Sequence, residues 1–99
     1  MPDVEQQFET AIAAIYPQCA EFKYHPTYLV QLIGDLGGVG AAKALLVKPP
    51  SDGFGRLALE QRLDLSVEAL VLNRQWRELF TETELASARR RLRGTPFAA

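Results

Sequence analysis

The feature that most restricts this chain is its punctuation: apolar residues recur at helical spacing in short runs, each closed by proline or glycine. Val4, Phe8, Ala11, Ile12 and Ile15 mark one buried helical face behind a capping Asp3, and Pro17 closes it. A connector over 18–26 follows, with a short helical turn around Ala20 and Phe22 and an extended approach to Pro26. Thr27 caps a second helix with Tyr28, Leu29, Leu32, Ile33 and Leu36 inward, and Gly37-Gly38 stops it. Val39, Ala42, Leu45 and Leu46 make a third, ended by Pro49-Pro50.

Ser51-Asp52-Gly53 reads as a turn or cap before a fourth helix with Phe54, Leu57, Ala58 and Leu63 toward the core. Leu63, Leu65 and Val67 alternate with Asp64, Ser66 and Glu68, the period of a half-buried strand. No second alternating run exists to pair with it, and a lone strand cannot satisfy its backbone, so the helical version is favoured, with Ser66 as a fresh cap. A fifth helix carries Val67, Leu70, Val71, Trp76, Leu79 and Phe80, kinked near Asn73. Thr81 and Glu84 form a capping box for the last helix, which runs to Arg93 before Gly94. The expected fold is all-α, a compact orthogonal bundle of about five to six short helices forming one domain over 1–99, with 95–99 a short tail unless Phe97 folds back onto the domain.

Function is bounded mostly by exclusion. A net charge of −1 supplies no long-range field to collect nucleic acid or anionic lipid. The single Cys19 forbids an internal disulfide and fits a reducing compartment. The first residues lack the pattern of a signal peptide, and no window is expected to approach a membrane span of about eighteen apolar residues. The expectation is a cytoplasmic protein that does not engage a membrane, and arginine, alanine and leucine usage points to a GC-rich bacterial genome.

The glycines between Gly34 and Lys43 invite a phosphate-loop reading, but Ala42 and Ala44 stand where the motif needs glycine and a hydroxyl residue. Cys19 and His25 are the only nucleophile and imidazole of their kind, without flanking motifs, and no carboxylate lies at metal-ligand spacing from either. Glu60, Asp64 and Glu68 are expected to be solvated. No catalytic residue, cofactor or metal is expected, and the chain reads as a non-enzymatic interaction or adaptor module. Its partner would be another protein or a second copy. Candidate contacts are Arg89, Arg90, Arg91 and Arg93 on the last helix, with Trp76 and Tyr28, since arginine and large aromatics dominate protein contacts. Core packing competes for Trp76, and the helix dipole for the arginines. The alternative is a helix-turn-helix-like DNA-binding regulator, built on the Gly37-Gly38 corner and Ala41-Ala42; its join from Val47 to Gly53 is longer than that motif's turn, and acidic Glu60 and Asp64 sit beside Arg56, Gln61 and Arg62.

The tract Leu36-Gly-Gly-Val-Gly-Ala-Ala-Lys-Ala-Leu-Leu46, with Gly53-Phe54-Gly-Arg-Leu57, Arg62-Leu-Asp-Leu-Ser-Val-Glu-Ala-Leu-Val-Leu72 and Trp76-Arg-Glu-Leu-Phe-Thr81, resembles a small uncharacterised bacterial helical domain family. The resemblance covers about two-thirds of the chain and implies a cytoplasmic bacterial module. It transfers no activity and no site, and shared framework residues usually concern packing.

Overall fold

The computed structural model describes residues 3–49 and 52–97, and all of its regular structure there is helical. Helix α1 (Val4–Ala13) starts at a full capping box: Asp3 accepts the Gln6 N–H at 2.8 Å, and the Gln6 side chain accepts the Asp3 N–H. Its Phe8 and Ile12 are fully buried. The chain does not become a connector after Tyr16. It restarts as α2 (Ile15–Ala20) with Pro17 inside, because a first-turn N–H has no acceptor within the helix and proline lacks only that group. The reversal after α2 is a Schellman closure, with the Tyr24 N–H on the Cys19 carbonyl, the Lys23 N–H on that of Ala20, and Lys23 at φ 62°.

Helix α3 (Thr27–Val47) begins one residue earlier in its cap than expected, with Pro26 in the capping position and Thr27 as the first helical residue. The Gly37-Gly38 corner is there, but as a bend inside one element: Gly37 takes φ 77° and ψ 171°, which an L side chain rarely adopts. The bend turns 38–47 onto α1. Gly38 lies so close that an added Cβ would come within 2.6 Å of the Glu9 Cα, and the Gly38 N–H donates to Glu9 Oε1 at 2.9 Å.

Helix α4 (Asp52–Leu59) buries Leu57, while Ala58, expected inward, is exposed. Ser51 and Pro50 lie outside the described residues. A second Schellman closure follows, with Gln61 at φ 58° in the seat that glycine usually takes. The alternating stretch is a 3-10 turn, Leu63–Leu65, then α5 (Val67–Val71). Ser66 joins them by donating to the Leu63 carbonyl at 2.7 Å and accepting the Ala69 N–H at 3.1 Å. The expected kink at Asn73 is a full break, where Asn73 caps a 3-10 segment, Arg74–Leu79.

Helix α6 (Glu82–Arg91) has the expected box between Thr81 and Glu84 but stops at Arg91, with Gly94 at φ 88° beyond. Phe97 stays 36% exposed rather than folding into the core. That core centres on Phe8, which meets Trp76 and Phe80 edge-on at centroid distances of 5.6 and 5.3 Å. A radius of gyration of 12.5 Å is that of one small unit, for which about 13 Å is usual at this length.

Glu84 does two jobs with one oxygen. Its Oε1 accepts the Thr81 N–H and the Lys43 ammonium, both at 2.8 Å, tying the start of α6 to α3. Burial pushes its carboxyl pKa up, but the bond to Lys43, those with Thr81 and the Lys43 charge outweigh this and hold it below the ordinary 4.5. A carboxylate depressed in the folded state stabilises it above the unfolded pKa, and the contribution is lost as pH falls through the folded value. Glu84→Gln should therefore lose stability at neutral pH and approach the wild type as pH drops below about 4.5, which thermal melts across an acid series would read. Parallel curves down to pH 2 would remove this role.

Candidate functional site

A cleft of about 450 Å³ lies where four elements converge: the approach and first turn of α3 with Leu45 near its end, the start of α4, the start of α5, and the last turn of α6. Tyr24, Tyr28, Leu29, Phe54 and Val67 give it apolar and aromatic walls, and Glu68 and Arg91 supply charge. That volume falls in the range of about 300–1,000 Å³ common to ligand sites.

Local chemistry places each wall. Ser66 starts α5, so Glu68 falls in that helix's first turn, where a carboxylate suits the dipole. It is nonetheless 6% exposed and held by Arg91 at 2.8 Å. The Arg91 guanidinium also donates to the carbonyls of Leu45 and Leu46, at 3.0 and 3.2 Å, and of Lys48. These are carbonyls that α3 leaves open at its end. One side chain thus joins three helices. At the rim, the Lys48 ammonium donates to Tyr28 Oη at 3.0 Å, and the Arg56 guanidinium lies 5.5 Å from the Tyr24 ring centre while bonded to Glu60 and the Phe22 carbonyl.

Beside the cleft, the first half of α3 leaves Tyr28, Val30 and Leu36 about half exposed. Val30 and Ile33, with Ala13, Tyr16, Pro17 and Thr27, line a shallow groove of about 370 Å³. The expectation that no apolar run reaches membrane-spanning length does not hold. Thr27–Val47 has a window of mean hydropathy 1.4, long and apolar enough by length and composition, though Gly37 bends it in the middle.

The residues expected to meet a partner do not form one surface. Trp76 is 4% exposed and packed on Phe8, so its ring serves the core. Arg91 is turned inward, because the buried Glu68 and the α3 carbonyls outbid solvent for its five donors. Arg90 and Arg93 are exposed, Arg89 is half-buried, and Arg90 donates to Ser87 Oγ. Tyr28 lines the cleft and is half exposed. Glu68, expected to be solvated with Glu60 and Asp64, is the residue the sequence misplaced most; its cue was a carboxylate in line with the buried Leu65, Val71 and Leu72.

The other chemical candidates dissolve on inspection. Cys19 is fully buried, and burial pushes its thiol pKa up, against a smaller lowering by Arg62, which is the opposite of an activated nucleophile. His25 sets its ring against Tyr16 at 5.7 Å. The glycine-rich corner presents an amide to an anion, but that anion is Glu9 of the same chain. Among the described residues no cluster of three His, Cys, Asp or Glu could hold a metal. Comparison with family models, curated proteins and solved structures returns no match, so the cleft and the apolar face must be read from their own geometry.

Proposed function

We propose that this chain is a non-enzymatic interaction module of a bacterial cytoplasmic system, docking onto another protein through the exposed face of α3. The observation that carries this reading is a mismatch: the most apolar helix keeps only 22% of its apolar window buried, and Tyr28, Val30 and Leu36 meet solvent. Large apolar side chains left in solvent on one helix are the kind of surface that contact sites use. Against the DNA-binding alternative, three of the arginines are engaged within the chain, Arg56 by Glu60, Arg62 by Asp64 and Arg91 by Glu68.

The test is the double variant Val30→Glu/Leu36→Glu, checked for native circular dichroism. Both sites are half exposed, so the fold should survive. The wild type should retain a stoichiometric protein from its own cytosol, or self-associate by light scattering, and the variant should bind at least about tenfold more weakly. A monomer that retains nothing rules the module out. A salt-sensitive shift of duplex DNA that disappears in Arg89→Ala/Arg90→Ala/Arg93→Ala would favour the regulator instead.

A further inference from the structure

The exposed side of α3 before its bend carries opposite charges at its two ends. At the start, the Lys48 ammonium lies against Tyr28, donating to its Oη at 3.0 Å. Asp35 follows Tyr28 by seven residues, nearly two helical turns, so it stands on the same side of the helix, and it is exposed. The ion pairs among the described residues join Lys43 to Glu84, Arg56 to Glu60, Arg62 to Asp64 and Arg91 to Glu68; Lys48 and Asp35 belong to none of them. The first turn of α3 has no acidic residue and Pro26 gives it no side-chain cap, so the positive end of the helix dipole adds to Lys48. At the other end Glu9, on the Gly38 amide, adds a second carboxylate near Asp35.

Between these ends the surface is uncharged. Val30 is half exposed beside Ile33, and both line the shallow groove completed by Ala13, Tyr16, Pro17 and Thr27. A stripe that is positive at one end, apolar in the middle and negative at the other matches its own reverse. Two copies with α3 antiparallel about a twofold axis between Gln31 and Leu32 would set Lys48 and Tyr28 against the partner's Asp35, and Val30 against the partner's Ile33. The symmetry makes each contact twice. A parallel arrangement would oppose Asp35 to Asp35 and Lys48 to Lys48, so charge selects the antiparallel one.

We infer that the partner of this face is a second copy of the same chain, paired through antiparallel α3 segments with reciprocal Lys48 to Asp35 contacts. This rests on the docking reading above and names its partner. A contact of about two helical turns per side lies at the small end of specific interfaces, so the pairing is reversible and concentration-dependent.

Sedimentation equilibrium of the full chain at about 0.05 M salt, where exposed charges are little screened, should show a monomer–dimer exchange with a dissociation constant of about 0.1 mM. Asp35→Lys and Lys48→Glu each alter an exposed side chain, and each alone should keep the native circular dichroism and dimerise at least about tenfold more weakly. Mixed in equal amounts, the two variants should recover the wild-type affinity. In the mixed pair one contact joins the two introduced charges and the other is the original Lys48 with Asp35. Dimerisation indifferent to both variants, or weakened by them and not restored on mixing, overturns the antiparallel pairing. So does a wild type that stays monomeric to about 1 mM. If that monomer still retains another protein from the cytosol, the docking reading stands and only the choice of partner falls.

Discussion

Arg91→Met should destabilise the domain by about 3–5 kcal/mol, the usual consequence of removing one member of a buried ion pair. The Arg91 and Glu68 side chains are 11% and 8% exposed, so solvent screens the pair little. Without the guanidinium, Glu68 keeps a charge with no counterion, and the carbonyls of Leu45, Leu46 and Lys48 lose their donor. Domains of this size have about 5–15 kcal/mol in all, so the loss would be a large share of the total. Arg91→Lys should rescue little, because one ammonium cannot replace a planar fork that serves three carbonyls and a carboxylate. Arg91→Met/Glu68→Leu should recover part of the loss by removing the stranded charge as well. Urea unfolding followed by circular dichroism measures all three. A loss under about 1 kcal/mol for Arg91→Met would show that the brace contributes no more than a surface pair.

Two glycines four residues apart, one on each side of the Gly37 bend, should respond to alanine with opposite signs. Alanine is the better helix former by about 1 kcal/mol in a helix interior, a term that acts at Gly34 and only in part at Gly38, which opens the segment after the Gly37 bend. At Gly34 nothing lies within 4 Å of an added Cβ, so Gly34→Ala should stabilise by up to that amount. At Gly38 the new carbon would sit 2.6 Å from the Glu9 Cα and 2.8 Å from its Cβ. Backbone cannot swing aside as a side-chain end can, so α1 must move off α3 and weaken the Glu9 bond to the Gly38 amide. Overpacking of this sort costs about 1–3 kcal/mol, enough to reverse the propensity gain. Paired thermal melts settle the matter: if Gly38→Ala melts at or above the wild type, the helices are not held by that contact.

What the sequence made legible was chemistry that acts within a turn of the chain. Asp3, Ser66 and Thr81 cap helices through their own side chains, and Gly37 bends one through its lack of a Cβ. The reversals at Lys23 and Gln61 were invisible because neither is the glycine that announces a left-handed residue; their closure comes from backbone bonds to Cys19, Ala20, Leu57 and Ala58. Pro17 looked like a terminator because its effect depends on which turn of a helix it occupies. The cleft was the least accessible. Glu68 and Arg91 lie 23 residues apart, and their pairing exists only after α5 and α6 have packed. A run of arginines near a helix end gives no hint that Arg91 turns inward while Arg90 and Arg93 face water.

The brace also sets a timetable for synthesis. Arg91 reaches back 43 to 46 residues to the carbonyls at the end of α3, so the ribosome delivers the acceptors, and Glu68, well before their donor. While the emerging chain stops short of α6, a carboxylate destined for the interior has no counterion, and its segment cannot settle into a dry core. Consolidation must then await the emergence of Arg91 itself, and until it arrives the exposed apolar residues of α3 are presented by an incompletely paired nascent segment.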